Sequence, residues 1–96
     1  MIENTGTYVR VRNQGSGLYL DGMGRTANGS AVGQYPSGTS ANQQWSVVTD
    51  ANNVRLRNRG TGLYLDGMGR TTNGASAGQY SDSSSANQRW KIVAAS

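Results

Sequence analysis

The sequence predicts an all-β fold assembled from two copies of one four-stranded unit. Three observations lead there: apolar residues recur with a period of two, no 11-residue window carries a helical stripe, and the second half repeats the first. Aligned without gaps at an offset of 45 residues, Val9–Val48 and Val54–Val93 share 26 identities in 40 positions. The block GLYLDGMGRT at Gly17–Thr26 returns unchanged at Gly62–Thr71, and GQY at Gly33–Tyr35 returns at Gly78–Tyr80. ANQQW at Ala41–Trp45 returns as ANQRW at Ala86–Trp90. The first unit takes residues 1–48, including a leader at Met1–Thr7. The second takes residues 49–96, with Thr49–Asn53 as the joint.

The elements of a unit follow in order. In Tyr8-Val9-Arg10-Val11-Arg12 the valines share one face and the arginines the other, as a half-buried strand requires. Asn13-Gln14-Gly15-Ser16-Gly17 is turn chemistry. Leu18-Tyr19-Leu20 starts a second strand with both leucines inward. Asp21 to Ser30 is polar, holds three glycines and reads as a loop. Ala31–Tyr35 is a third strand, Pro36–Asn42 a second loop, and Gln43–Val48 a fourth strand carrying Trp45 and Val47. Each unit therefore offers seven inward candidates: Val9, Val11, Leu18, Leu20, Val32, Trp45 and Val47 in the first copy. So small a set cannot close a core alone, and repeat architectures usually need three or more units. Two units fall one short.

Composition narrows the chemistry. The chain has 96 residues, 34% hydrophobic, without Cys or His. That excludes disulfides, thiolate catalysis and zinc held by Cys or His, and it removes the commonest general base. No apolar run is long enough to cross a bilayer, and no stretch has the basic start and apolar core of a secretory signal. Nine Lys and Arg against five Asp and Glu leave a net charge of +4. A polyanion or nucleic-acid binder is therefore a competing reading, using Arg10, Arg12, Arg55, Arg57 and Arg59 on the outer strand faces. It lacks the interleaved aromatics of single-strand binders. The Gly22-Met23-Gly24-Arg25 block lacks the Lys-Ser/Thr and helix that a phosphate loop needs.

A Leu-x-Leu-Asp strand end, an Asn-Gly loop, an aromatic strand end and a closing Gln-x-Trp occur in both units, the last as Gln43-Gln44-Trp45 and Gln88-Arg89-Trp90. This pattern resembles the ricin-B-type lectin and carbohydrate-binding family. The resemblance implies a β-trefoil, with three four-stranded repeats about a pseudo-threefold axis, six strands forming a barrel and six forming hairpins that cap it. It implies mostly secreted, sugar-binding modules with no catalysis, metal or cofactor of their own. It also implies a pocket in each repeat. Asp21 and Asp66 would accept hydrogen bonds from sugar hydroxyls, and Tyr35 and Tyr80 would lie under the sugar ring. Asn42 and Asn87 would bond the same hydroxyls, with Gln43 and Gln88 holding the aspartates in place. Relatives often carry a polar residue where this chain has Gly33 and Gly78, and Trp where it has Tyr35 and Tyr80.

These residue types suit a pyranose on chemical grounds. A rigid aromatic covers its C–H face, a carboxylate accepts from adjacent hydroxyls, and an amide both donates and accepts. Each of them also has a structural reading, as rim core for the tyrosines and turn residues for Asp21, Asp66, Asn42 and Asn87. A glycosidase needs two carboxyls about 5–9.5 Å apart, whereas Asp21 and Asp66 are repeat equivalents expected in separate pockets. Galactosides and plant-type xylan or arabinan glycans all remain candidate ligands. Because a trefoil takes three repeats and the chain brings two, homo-oligomerisation is expected, with a trimer of six repeats closing two trefoils favoured over a two-chain assembly and Thr49–Asn53 as the crossing point.

Overall fold

The computed structural model describes residues 2–4, as backbone, and 7–92. Positions from Val93 onward, including the end of the second unit's fourth strand, lie outside the described residues. Among the described residues eight strands run along the chain: β1 (Ile2–Asn4), β2 (Val9–Val11), β3 (Tyr19–Asp21), β4 (Gly33–Tyr35), β5 (Trp45–Asp50), β6 (Asn53–Asn58), β7 (Tyr64–Asp66) and β8 (Gly78–Tyr80). Short 3₁₀ turns at Ala41–Gln43 and Ala86–Gln88 precede Trp45 and Trp90. The fourth strand of the first unit therefore starts at Trp45 rather than Gln43, because Ser40 Oγ accepts the Asn42 N–H and caps a turn there. All strand pairs are antiparallel, in a six-stranded sheet ordered β1-β2-β5-β6-β7-β8 and a separate β3-β4 hairpin.

The leader and the joint also differ from the sequence expectation. The leader contributes a strand, with Ile2, Glu3 and Asn4 opposite Val11, Arg10 and Val9. On β5, Val47, Val48 and Thr49 stand opposite Leu56, Arg55 and Val54. The 45-residue offset maps one set onto the other. Strand β1 therefore occupies the place of the closing strand of a preceding repeat. The joint, Thr49–Asn53, is the tip of the β5-β6 hairpin, in which six residue pairs are closed by Ala51-Asn52. Ala51 takes a φ of 55° there. Tight pairing, rather than an open linker, holds the two units side by side in the single chain.

Trp45, Leu56 and Leu65 form the buried cluster, with Val9, Leu20, Val32, Ala77 and Trp90 packed partly buried against it. The indole N–H of Trp45 donates to Leu20 O (3.2 Å) and that of Trp90 to Leu65 O (3.1 Å). The two units share a sequence and differ in cover. Leu63 and Leu65 are buried, whereas Leu18 and Leu20 are half-exposed. Val47 and its equivalent Ile92, expected inward, are 40% and 55% exposed. By the two-residue period they share the faces of Trp45 and Trp90, and two repeats leave that side open.

The second unit docks on the first through polar contacts as well as strand pairing. Asn58 Nδ2 donates to Asn42 O and Gln79 Nε2 to Gly22 O, both at 2.7 Å. Gln79 N donates to Ser30 O (2.9 Å) and Gly29 N to Gln79 O (2.8 Å). Arg59 reaches Gln44 Oε1 (2.7 Å), while Arg89 pairs with Asp50 of the joint (2.8 Å). A Cβ at Gly22 would fall 2.9 Å from the Asn58 carboxamide, so only glycine permits this approach.

Candidate functional site

Asp21 closes β3 and Asp66 closes β7, each buried to within about 6% of full exclusion. Each carboxylate turns back on its own loop: Asp21 Oδ1 accepts from Met23 N (2.6 Å) and Asp66 Oδ1 from Met68 N (2.7 Å). The turn holds Met23 and Met68 at φ of 59° and 60°, a conformation that costs roughly 1–2 kcal/mol away from glycine. Across the hairpins, Asp21 faces Gly33 and Asp66 faces Gly78. Two residues further on the same face stand Tyr35 and Tyr80, 56% and 40% exposed. The 3₁₀ turns bring Asn42 and Asn87 alongside, because their carbonyls accept the Gly22 and Gly67 N–H groups (both 2.9 Å).

The result is one pocket per repeat. The first, about 470 Å³, has Asp21, Met23, Tyr35, Asn42 and Gln43 in its lining. The second, about 240 Å³, is lined by Asp66, Met68, Tyr80, Ser83, Ser85 and Asn87. Each brings an acceptor carboxylate, an exposed phenol ring and an amide to one concave surface. Every site residue expected from the sequence is therefore either in a pocket wall or, for Gln88, directly behind it.

The supporting glutamines behave differently. Gln88 is fully buried, and its Nε2 donates to Asp66 Oδ2 (3.2 Å) and Ser81 O (2.8 Å). Gln43 Nε2 donates to Pro36 O (2.8 Å) and its Oε1 accepts from Gly38 N (3.1 Å), and among the described residues it makes no bond to Asp21. The expected role of holding the aspartate is thus filled by Gln88 and not by Gln43. The second copy carries Asp82, which pairs with Arg55, and Arg55 in turn reaches Gln88 Oε1 (3.4 Å). The first copy has Ser37 at that place, bonded by Arg10 (3.2 Å).

Sequence reasoning missed Met23 and Met68. Their thioethers fill the space opposite the aspartates, where a Cβ on Gly33 would meet Met23 Cγ and Sδ at 3.1 Å. A polar side chain at Gly33 or Gly78 is therefore replaced by an apolar sulfur from the neighbouring loop. The only sequence signal was a methionine inside a glycine-rich turn.

Most of the arginines considered for polyanions are engaged in the fold. Arg10 and Arg55 lie 4.0 Å over the rings of Tyr19 and Tyr64, and Arg59 lies 4.5 Å over Tyr8. Arg57 donates to Gly62 O (3.2 Å), and Arg25 and Arg70 brace their own loops at Ala31 O and Ser76 O. Guanidinium groups stacked on rings and bonded to carbonyls are held by the fold rather than left as free side chains. Among the described residues no helix is long and apolar enough to cross a membrane.

A family model described as ricin-type beta-trefoil lectin domain-like matches residues 1–80 and 41–96. Among solved structures, the designed threefold-symmetric protein ThreeFoil is 33% identical, with a TM-score of 0.91 over 98% of this chain and 70% of that one. The exo-β-1,3-galactanase 1,3Gal43A from Clostridium thermocellum is 28% identical, with a TM-score of 0.88 over 96% of this chain and 21% of the enzyme. A lectin of Polyporus squamosus, solved with the epitope Neu5Acα2-6Galβ1-4GlcNAc, shares the fold at 21% identity and a TM-score of 0.81, over 95% of this chain and 34% of the lectin. This chain thus spans about a fifth of the galactanase and a third of the lectin. No curated protein shows a significant match. The share of ThreeFoil covered fits two repeats out of three. The chain belongs to the ricin-type β-trefoil lectin-like family.

Proposed function

We propose that the chain is a carbohydrate-binding module that holds one sugar in each of its two pockets and performs no catalysis. The observation that carries this reading is the exposed tyrosine beside a buried carboxylate, present twice. Tyr35 and Tyr80 expose large flat rings at the rim, and Asp21 and Asp66 retain acceptor positions beyond the Met23 and Met68 N–H groups. A pyranose stacked on the ring places adjacent hydroxyls at the carboxylate, where each hydrogen bond contributes about 1.5–3 kcal/mol. The thioether walls of Met23 and Met68 offer no strong hydrogen bond, which suits a sugar edge poor in hydroxyls. Galactose-type and xylan- or arabinan-type glycans are the ligand classes proposed.

The second part of the proposal is multivalency through assembly. Three chains bring six repeats, enough to close two trefoils that display six pockets, and linked sites of this kind raise avidity by about 10²–10⁴. In such a trimer two chains keep their repeats together, and the third opens its β5-β6 hairpin to supply one repeat to each trefoil. The test is retention on immobilised galactose or xylan. The wild-type chain is retained and the Asp21→Ala, Asp66→Ala double variant, still folded by circular dichroism, is not. Full retention of that variant would remove the site assignment.

A further inference from the structure

A groove of about 620 Å³ lies outside both sugar pockets, walled by Val11, Leu18, Leu20, Val32, Asn13 and Gln34. We propose that this leading face of the first repeat docks the trailing face of the second repeat of another copy of this chain, by the contacts that already join the two repeats within one chain. The inference rests on the assembly part of the proposed function and is independent of the sugar reading.

The internal interface supplies the template. There the amide nitrogens of Asn58 and Gln79, both fully buried, donate to Asn42 O and Gly22 O (2.7 Å each). Their oxygens are occupied locally: Asn58 Oδ1 accepts from Gly60 N (3.0 Å) and Thr61 N (2.9 Å), and Gln79 Oε1 from Thr61 Oγ1 (2.8 Å). The first repeat reproduces the local half of this arrangement. Asn13 Oδ1 accepts from Gly15 N (2.9 Å) and Ser16 N (3.0 Å), and Gln34 Oε1 from Ser16 Oγ (2.9 Å). The same oxygens are engaged, so the same amide nitrogens face outward, here on exposed residues.

The matching acceptors stand on the second repeat. Gly67 and Asn87 are the 45-residue equivalents of Gly22 and Asn42. The Gly67 N–H bonds Asn87 O at 2.9 Å, as Gly22 N–H bonds Asn42 O at 2.9 Å, so both carbonyls are held alike. One open face carries two oriented donors around an apolar groove, and the other carries the two carbonyls that fit them. Such a contact is heterologous, joining unlike faces of identical chains. One bond of the template is lost: Ser81 N donates to Asn28 Oδ1 (2.9 Å) inside the chain, whereas its equivalent Pro36 has no N–H. Docking on that face brings the other copy to the edge of β2, where β1 lies in the single chain.

The experiment is light scattering at micromolar concentration on the wild-type chain and on two variants. Asn13→Asp with Gln34→Glu keeps every local acceptor oxygen and turns both outward donors into acceptors facing carbonyls. Gln34→Arg adds a long charged side chain at a position exposed in the single chain, where the fold loses only the exposed bond from Ser16 Oγ. The wild type is expected at the mass of three chains and both variants near one chain. Their affinity for a monosaccharide should stay within about twofold of wild type, since neither position lines a sugar pocket. A wild-type mass of one chain overturns the proposal, and so does assembly that survives both variants. Failure to bind any sugar with assembly intact counts against the pocket reading and leaves this interface standing.

Discussion

The two aspartates look interchangeable in sequence and are held differently, which makes a paired substitution informative. Asp21→Asn keeps the Oδ1 that accepts from Met23 N, and no other described protein donor addresses that carboxylate. Its cost is the difference between a charged and a neutral acceptor, about 0.5–1 kcal/mol. Asp66→Asn keeps the bond from Met68 N but sets the new Nδ2 against Gln88 Nε2, a donor against a donor. Gln88 is fully buried, so one of its N–H groups loses its partner without water to replace it. That costs about 1–3 kcal/mol in addition. The carboxylates are 5% and 6% exposed, so their desolvation terms cancel in the comparison. Urea unfolding at one fixed protein concentration should place the Asp66→Asn midpoint about 1 M below that of Asp21→Asn, taking a slope of about 2 kcal/mol per M. Coincident midpoints would refute the claim that Gln88 supports only the second carboxylate.

Ala51 sits at φ 55° as the first residue of a two-residue hairpin loop, a place that favours glycine. Ala51→Gly should raise unfolding stability by about 0.5–1 kcal/mol, and a loss of stability would contradict the strain assigned there. Deleting residues 1–4 exposes the edge of β2, so light scattering should show a larger assembled fraction. A smaller fraction would mean that β1 supports the assembly rather than competing with it. Aryl glycosides of galactose, xylose and arabinose should release no chromophore. Turnover that survives repurification and vanishes in Asp21→Asn, Asp66→Asn would establish an enzyme.

Much of this architecture was legible because it is local. Alternation in Val9-Arg10-Val11 marks a strand whatever its neighbours, and the recurring Leu-Tyr-Leu-Asp to Gln-Tyr spacing places Asp21 and Tyr35 on one hairpin. What sequence could not supply depends on distant partners. Nothing in Ile2-Glu3-Asn4 announces a strand, since its place is defined by the edge of β2. Gln43 and Gln88 sit in nearly identical segments and differ in the bond of Gln88 to Asp66, which no residue within those segments announces. Val47 has the right period for the core and lies exposed because cover for it would come from a third repeat. Met23 and Met68 enter the pocket through a backbone conformation that no composition rule anticipates.

The central claim is two equivalent sugar sites on each chain, and titration calorimetry with a monosaccharide tests it most directly. Galactose, xylose and arabinose are titrated in turn into the wild-type chain, into Asp21→Ala and into Asp66→Ala. The account predicts, for at least one sugar, two sites per chain in the wild type, one in each single variant and none when both are changed. An absence of binding for every sugar, or a stoichiometry unchanged by either substitution, would contradict it.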